Sequence, residues 1–447
     1  MTDDTLAKTP EPETSTETPE TTTESAEPST DAPAKRTRKK ADAPADGDAR
    51  KPVIGFEAKK LKAALAAIGA VVEVRNSIPI LSNLRIEAQH GRVTLVGTDL
   101  DLQCVLTLDV EQDADGPAFA TTVSEGTLKA ITAKVDGDAT ITLTLEDAGR
   151  AGDAFASSGA GKVIATAGRA RFTLPTMPIE DFPLMTAEAA AHQFELAAFD
   201  LAAMIDGVRC AMSQDETRYY LNGIYLHAGE THGPTGDGEG TLLVLRAAAT
   251  DGHRLARFDV AQPDGAGALD PGVIVPRKAV KVLDQLLDGF EGSVDIAIGS
   301  GKARFDFGHV ELTTKLVDGT FPDYTRVIPT GNDKVLQVDR KALIDAAGRV
   351  MVMADGKSRV VKLDLARDVA TLSCISPEHG TATDEVPGDY DADDLTIGFN
   401  GAYLVETLSR IQGDTVTVKL ADGSAPTLFV DANPEARALY VLMPMRV

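Results

Sequence analysis

Three times along the chain a short alternating run passes directly into a stretch whose apolar residues recur at three- and four-residue spacing. These stretches begin Phe56-Glu-Ala-Lys-Lys-Leu-Lys-Ala-Ala-Leu, Phe199-Asp-Leu-Ala-Ala-Met-Ile-Asp-Gly-Val and Val338-Asp-Arg-Lys-Ala-Leu-Ile-Asp-Ala-Ala. That spacing puts one apolar stripe on an α-helix. Glu57, Asp200 and Asp339 stand where a cap or first-turn carboxylate favours a helix N-terminus. A second helix is predicted in each unit, over 124–134, 276–287 and 400–411, with Ser124 and Asn400 as N-caps and Pro276 in the first turn. Between the helices lie period-two runs such as Arg92-Val-Thr-Leu-Val, Ala139-Thr-Ile-Thr-Leu-Thr-Leu, Ser293-Val-Asp-Ile-Ala-Ile and Asp414-Thr-Val-Thr-Val-Lys-Leu. They read as antiparallel strands with one buried face.

The pattern predicts an α+β chain of three similar domains, at 52–185, 190–332 and 334–447, each with two helices packed on antiparallel sheet. The repeat is too long for a solenoid or propeller blade. Stretches 147–162 and 229–240, rich in Gly, Ala or polar residues, read as surface insertions that interrupt strand regions. Residues 1–51 hold almost no large apolar side chain and are expected to be a disordered tail, acidic but for the basic knot Lys35-Arg-Thr-Arg-Lys-Lys40.

At 447 residues the chain exceeds what one core usually serves, which agrees with several domains. Cys104, Cys210 and Cys374 are odd in number and far apart, against both a disulfide framework and a thiolate metal site, so they are expected to be buried small hydrophobes. No apolar run of membrane-spanning length and no apolar signal core is present, so a cytoplasmic protein with no membrane contact is expected. The net charge of -24 argues against phosphate binding over the whole surface. The helical segments 56–74, 124–134, 199–214, 276–288, 339–351 and 400–412 nevertheless hold 13 Lys and Arg against 10 Asp and Glu, so the helices are mildly basic on an acidic molecule.

Enzyme signatures fail. Gly161-Lys162 and Gly301-Lys302 lack the earlier glycine of a phosphate loop, with Ala156 and Ile296 in its place, and no Ser or Thr follows either Lys. Asp251-Gly-His253 has no metal-ligand partner at suitable spacing and no nucleophile motif, so acid-base chemistry there is an alternative to a structural or binding role. The terminus Tyr-Val-Leu-Met-Pro-Met-Arg-Val, 440–447, is apolar where termini normally fray, and must be either buried or offered to a partner.

Distinctive strings occur in order: Ile78-Pro-Ile-Leu-Ser-Asn-Leu, Gly97-Thr-Asp-Leu, Gly168-Arg-Ala-Arg-Phe-Thr-Leu, Asp181-Phe-Pro, Arg218-Tyr-Tyr-Leu-Asn-Gly and Thr250-Asp-Gly-His-Arg-Leu-Ala. Val275-Pro-Arg-Lys, Lys315-Leu-Val-Asp-Gly-Thr-Phe-Pro-Asp-Tyr-Thr-Arg-Val, Gly398-Phe-Asn and the terminal octapeptide follow. Over residues 52–447 the chain closely resembles the bacterial DNA polymerase III β subunit family, the replicative sliding clamps. The resemblance implies that two chains close head to tail into a ring around duplex DNA, with the helices lining the hole. It implies no catalysis, cofactor or metal. The partners it implies are duplex DNA held without sequence preference, the DNA polymerase III catalytic subunit, an ATP-dependent clamp loader and other clamp-motif proteins.

By helical position Lys59, Lys62, Lys129, Lys134, Arg209, Arg277, Lys278, Lys281, Lys341 and Arg410 are candidates to face the DNA, each also readable as a solvated surface charge. Arg75 sits where the family places a DNA-touching loop Arg, whereas the second such loop, Ser213-Gln-Asp-Glu-Thr217, is acidic here. The resemblance places a pocket for short apolar motifs at Arg218, Tyr220, Leu221, Thr250, Gly252, His253, Arg254, Leu255, Pro322, Arg326, Val327, Asn400, Tyr403, Val441, Leu442, Met443, Pro444, Met445, Arg446 and Val447, with Ser358 where many members carry an aromatic rim residue. It places the dimer contact at Phe172 and Leu174 on one side and Val352 and Met353 on the other, residues that alternation alone reads equally as core. The tail, the insertions, the acidic loop and Ser358 keep open a specialised clamp copy that replaces or modulates a housekeeping one.

Overall fold

The computed structural model describes residues 52–73, 76–110, 118–146, 161–235, 238–354, 359–433 and 435–447. The tail, Arg75, Ser358 and the stretch 147–160 lie outside the described residues.

The first domain holds β1 (Val53–Glu57), α1 (Ala58–Ile68), β2 (Asn83–Gln89), β3 (Arg92–Thr98), β4 (Leu102–Asp109), β5 (Phe119–Ser124), α2 (Glu125–Thr132), β6 (Thr140–Leu145), β7 (Lys162–Ala167) and β8 (Ala170–Pro175). The second repeats this order with β9 (His192–Ala197), α3 (Ala198–Arg209), β10 (Gly223–Thr235), β11 (Gly238–Thr250), β12 (Arg254–Ala261), β13 (Val273–Pro276), α4 (Arg277–Leu287), β14 (Ser293–Ile298), β15 (Lys302–Asp306) and β16 (Val310–Lys315). The third does so with β17 (Lys334–Asp339), α5 (Arg340–Val350), β18 (Val360–Ala366), β19 (Val369–Ser376), β20 (Gly380–Tyr390), β21 (Leu395–Asn400), α6 (Gly401–Leu408), β22 (Thr415–Leu420), β23 (Thr427–Asp431) and β24 (Ala438–Leu442).

In each domain a strand runs straight into a helix that buries one stripe on the sheets. In α1 that stripe is Leu61, Ala64, Leu65 and Ile68, the expected three- and four-residue spacing. Asp339 caps α5 by accepting from the Ala342 N–H at 2.7 Å, and Ser124 and Asn400 cap α2 and α6. Glu57 occupies the N-cap position of α1 but makes no capping bond; it pairs with Lys60 instead, at 3.1 Å. Pro276 ends β13 and precedes α4 rather than entering its first turn. The stretch 229–240 does not interrupt strands, because β10 and β11 continue through it as one hairpin in register from Tyr225↔Ala248 to Thr235↔Gly238. Its polar composition reflects an extension of paired backbone beyond the core, where no apolar partner demands alternation.

The strands form sheets ordered β1-β6-β7-β8, β5-β2-β3-β4-β16-β15-β14-β9 and β13-β10-β11-β12-β24-β23-β22-β17-β20-β19-β18-β21. Domains one and two are thus joined by β4 against β16, and domains two and three by β12 against β24. Cys104, Cys210 and Cys374 are buried and free of disulfides.

Candidate functional site

The terminal octapeptide divides its side chains between core and surface. Strand β24 lies between β12 and β23 and buries Tyr440, Val441 and Leu442. Beyond it the Met443 N–H donates to the His253 carbonyl and the Met445 N–H to the Gly398 carbonyl, each at 2.8 Å. Backbone bonds thereby hold the terminus while Met443, Met445 and Val447 stay 43%, 39% and 62% exposed. Exposed apolar side chains on a fixed backbone can repack around a visitor at little ordering cost.

The residues expected beside it converge from three places. Leu221, Leu255 and Val441 share a small buried cluster with Phe321 and Tyr324, with Tyr220 packed at its margin. Pro322 and Val327, on either side of Tyr324, are exposed. The 250–254 turn is held by its own polar groups: Thr250 Oγ1 donates to the Arg254 carbonyl at 2.7 Å, and Asp251 Oδ1 accepts from the His253 and Arg254 N–H groups at 2.9 and 3.0 Å. Gly252 takes φ +88° there, a left-handed conformation that favours glycine, and it lies against the end of the Arg218 side chain. Asp251 therefore builds a turn, and His253 offers its carbonyl to Met443. Among the described residues no cluster of His, Cys, Asp and Glu is arranged to hold a metal ion.

Arg254 points away from the surface. Its Nε donates to Asp251 Oδ2 at 3.0 Å and its Nη1 to Glu406 Oε2 at 2.7 Å, and the guanidinium lies 4.1 Å from the Tyr403 ring centroid. Burial works against its charge, but Glu406 and Asp251 outweigh that and hold its pKa above the ordinary value. It locks domain two to α6 and sets the Tyr403 ring. Asn400 is spent capping α6, Arg218 Nε donates to Asp215 at 3.0 Å, and Arg326, 84% exposed, pairs with Asp323 at 2.7 Å. Glu406 was missing from the sequence reading, since nothing near it in the chain marks it as a partner of Arg254.

The helix positives fall into two groups. Lys59, Lys62, Lys134 and Lys281 are exposed. Lys129 pairs with Glu125 at 3.5 Å and Lys341 with Asp345 at 3.2 Å, both from the surface. Arg209 reaches Asp206 at 2.8 Å and Asp284 at 2.9 Å; Arg410, mostly buried, donates to the same Asp206 from another domain. Arg277 donates to the Ser213 carbonyl, and Lys278 to Asp99 and Glu73. Arg209, Arg277, Lys278 and Arg410 thus bond within the chain, a difference among the ten candidates that helical position did not reveal. Of the acidic loop, Asp215 is committed too: it accepts from the Thr217 N–H and hydroxyl and from Arg218, bonds that hold its carboxyl below the usual range.

Among the expected dimer-contact residues, Val352 is 75% exposed and Leu174 only 5%, inside its own core, with Phe172 and Met353 partly buried against that core.

Three family models match in order along the chain: the DNA polymerase III beta subunit N-terminal domain over 54–186, its central domain over 195–323 and its C-terminal domain over 325–446. The beta sliding clamp of Caulobacter vibrioides is 38% identical over 397 residues, covering 88% of this chain and 99% of that protein. The Escherichia coli beta sliding clamp is 32% identical over 373 residues, covering 83% and 94%. Among solved structures, the sliding clamp of Bartonella birtlesii bound to griselimycin superposes with a TM-score of 0.79 at 37% identity, covering 89% of this chain and all of that one.

Proposed function

The chain belongs to the DNA polymerase III beta subunit family, and on that premise we propose that two copies close head to tail around duplex DNA and bind partner motifs beside the 443–447 terminus. It is a sliding clamp, a non-catalytic processivity factor. The ring reading rests on one observation. Each junction pairs the last strand of one domain's fold, β16 or β24, with the strand at the corresponding edge of its neighbour, β4 or β12. By the same order β8 and the 380–387 part of β20 are the remaining pair, and among the described residues each has a strand on one side only there. Unpaired edges invite strand addition. Joining β8 of one copy to β20 of another satisfies both and brings Phe172 near the exposed Val352. Leu174 then supports the edge from within its own core.

DNA in such a ring meets Lys59, Lys62, Lys134 and Lys281, the exposed candidates for which no ion pair is seen among the described residues. Few phosphates are neutralised and no base is read, so the ring slides. Short motifs with Leu and Phe anchors suit the apolar, Met-bearing surface around Tyr220, Val327 and Met443. The polymerase III catalytic subunit and an ATP-dependent loader are the partners the reading requires, in the cytoplasm; among the described residues no helix is long and apolar enough to cross a membrane. Tethering raises the local concentration of a bound polymerase at its template.

Retention on nicked circular DNA, loaded with cognate loader and ATP, tests the ring. Release only after the circle is linearised is the expected result. Salt-sensitive binding indifferent to linearisation would replace topological linkage with plain electrostatic attachment.

A further inference from the structure

The segment carrying Pro322, Arg326 and Val327 joins two domains and holds a single turn, Tyr324–Val327, too short to keep its own shape. What fixes it is Tyr324, 5% exposed, whose ring enters a four-membered aromatic group. Phe321 stacks on Tyr225 with centroids 4.8 Å apart, Tyr225 on His227 at 4.7 Å, and His227 meets Tyr324 edge-on at 5.8 Å. His227 Nδ1 lies 2.6 Å from the Ala228 carbonyl and Nε2 lies 2.8 Å from Tyr324 Oη. A carbonyl only accepts, so Nδ1 carries the proton, Nε2 is the acceptor, and the Tyr324 hydroxyl donates to it. We propose that this hydrogen bond is a latch on the 321–328 segment, and that His227 and Tyr324 are positioning residues for motif binding at Pro322 and Val327. The proposal rests on the partner-site reading above.

The surroundings make the latch sensitive to protonation. His227, Arg246 and Asp259 stand opposite one another on β10, β11 and β12. Arg246 donates to both Asp259 oxygens at 2.7 Å, and Arg257 lies 3.4 Å from the same carboxylate. Two guanidiniums thus share one carboxylate before His227 titrates. Burial, with Arg246 and Arg257, depresses the His227 pKa despite the opposing pull of the Ala228 carbonyl and Asp259. The ring also borders a cavity of about 620 Å³ shared with Glu230 and Asp270, which gives protons a route in. A proton on Nε2 forces this bond to reverse, so that the Tyr324 hydroxyl, to which Arg246 already donates, must accept from a second cation, and it sets that cation beside Arg246. The latched state therefore favours neutral imidazole: its advantage is complete above the ordinary His pKa of about 6.5 and is lost as pH falls through the depressed value.

The test measures a fluorescein-labelled peptide with Leu and Phe anchors, by anisotropy at pH 7.5 and 5.5, on the full-length dimer. Wild-type affinity should weaken at least about fivefold at the lower pH, the scale of one hydrogen bond's net contribution. His227→Gln, which keeps an acceptor but cannot titrate, should show equal affinity at both. Tyr324→Phe should bind about fivefold more weakly at pH 7.5, with the dimer intact and little pH dependence. A flat wild-type profile, or the same acid loss in His227→Gln, would overturn the latch. Amide protection of residues 324–328, corrected for intrinsic exchange and measured without peptide, reads the latch directly and should fall in acid only when His227 is present; unchanged protection overturns it whatever the peptide does. Undiminished peptide binding after removal of residues 443–447 would instead refute the partner site, a failure these amides do not register.

Discussion

The two junctions within the chain use the same strand pairing but different chemistry around it. Where β4 meets β16, Lys278 pairs with the buried side chain of Asp99 and with Glu73, and Lys315 pairs at the surface with Asp101 at 3.0 Å. Where β12 meets β24, Arg254 is buried between Asp251 and Glu406, Arg437 reaches Asp200, and Asp206 is shared by Arg209 and Arg410. The terminus is also tied across it, to His253 and Gly398. The junction beside the binding surface carries more ion pairs, among them Arg254 with Asp251, both side chains nearly buried, whereas at the other junction Asp99 is the buried partner of a part-exposed Lys278. Buried pairs are costly to break because the remaining partner stays desolvated.

Removing residues 443–447 should have the largest effect. Motif-peptide binding is expected to disappear while sedimentation still shows a dimer, since β24 ends at Leu442 and keeps its pairing. Next comes Arg254→Ala, which leaves Asp251 and Glu406 facing each other's field and should destabilise the β12–β24 junction by about 3 kcal/mol. Native-state hydrogen exchange of the β12 amides reads it against those of β4. Lys278→Ala is the matching change at the other junction and should cost about 1 kcal/mol or less, because the side chain is partly exposed and Asp99 keeps the Asp101 and Leu102 N–H groups as donors. Equal costs for the two substitutions would erase the contrast.

The pH windows of the junctions should also differ in sign. Burial raises the Asp206 pKa, but Arg209 and Arg410 outweigh it and leave it lowered. Its contribution is present above the ordinary carboxylate range and lost as pH falls through the lowered value. For Lys278 desolvation is outweighed by Asp99 and Glu73, so its pKa is raised and its contribution is lost only as pH rises through that raised value. Junction-specific exchange should therefore loosen β12–β24 in acid and β4–β16 in alkali, both modestly, since these groups are partly exposed. The smallest effect expected is from deleting residues 1–50, whose composition predicts an almost unchanged thermal transition.

Much of this was legible in the residues. Apolar spacing located the helices, the caps at Ser124, Asp339 and Asn400 announced their starts, and the ordered strings pointed to the family. The hairpin through 229–240 was misread because polar composition was taken for a loop, whereas backbone pairing continues without apolar alternation. Among the candidate cations, position alone could not separate exposed Lys59 from Arg410, held by an acid 204 residues earlier in the chain.

What the sequence determined by itself is the local layer: three repeats, their periodicities, the caps, and an apolar terminus that needs a place. Only the tertiary structure decided which charges are free, where the terminus is held, and which strand edges are left open. Arg254 and Glu406 lie 152 residues apart, Lys278 and Glu73 205, and Arg410 and Asp206 204. Local pattern records helix and strand because those bonds close within a few residues. The pairings that make this site close only when separate domains meet.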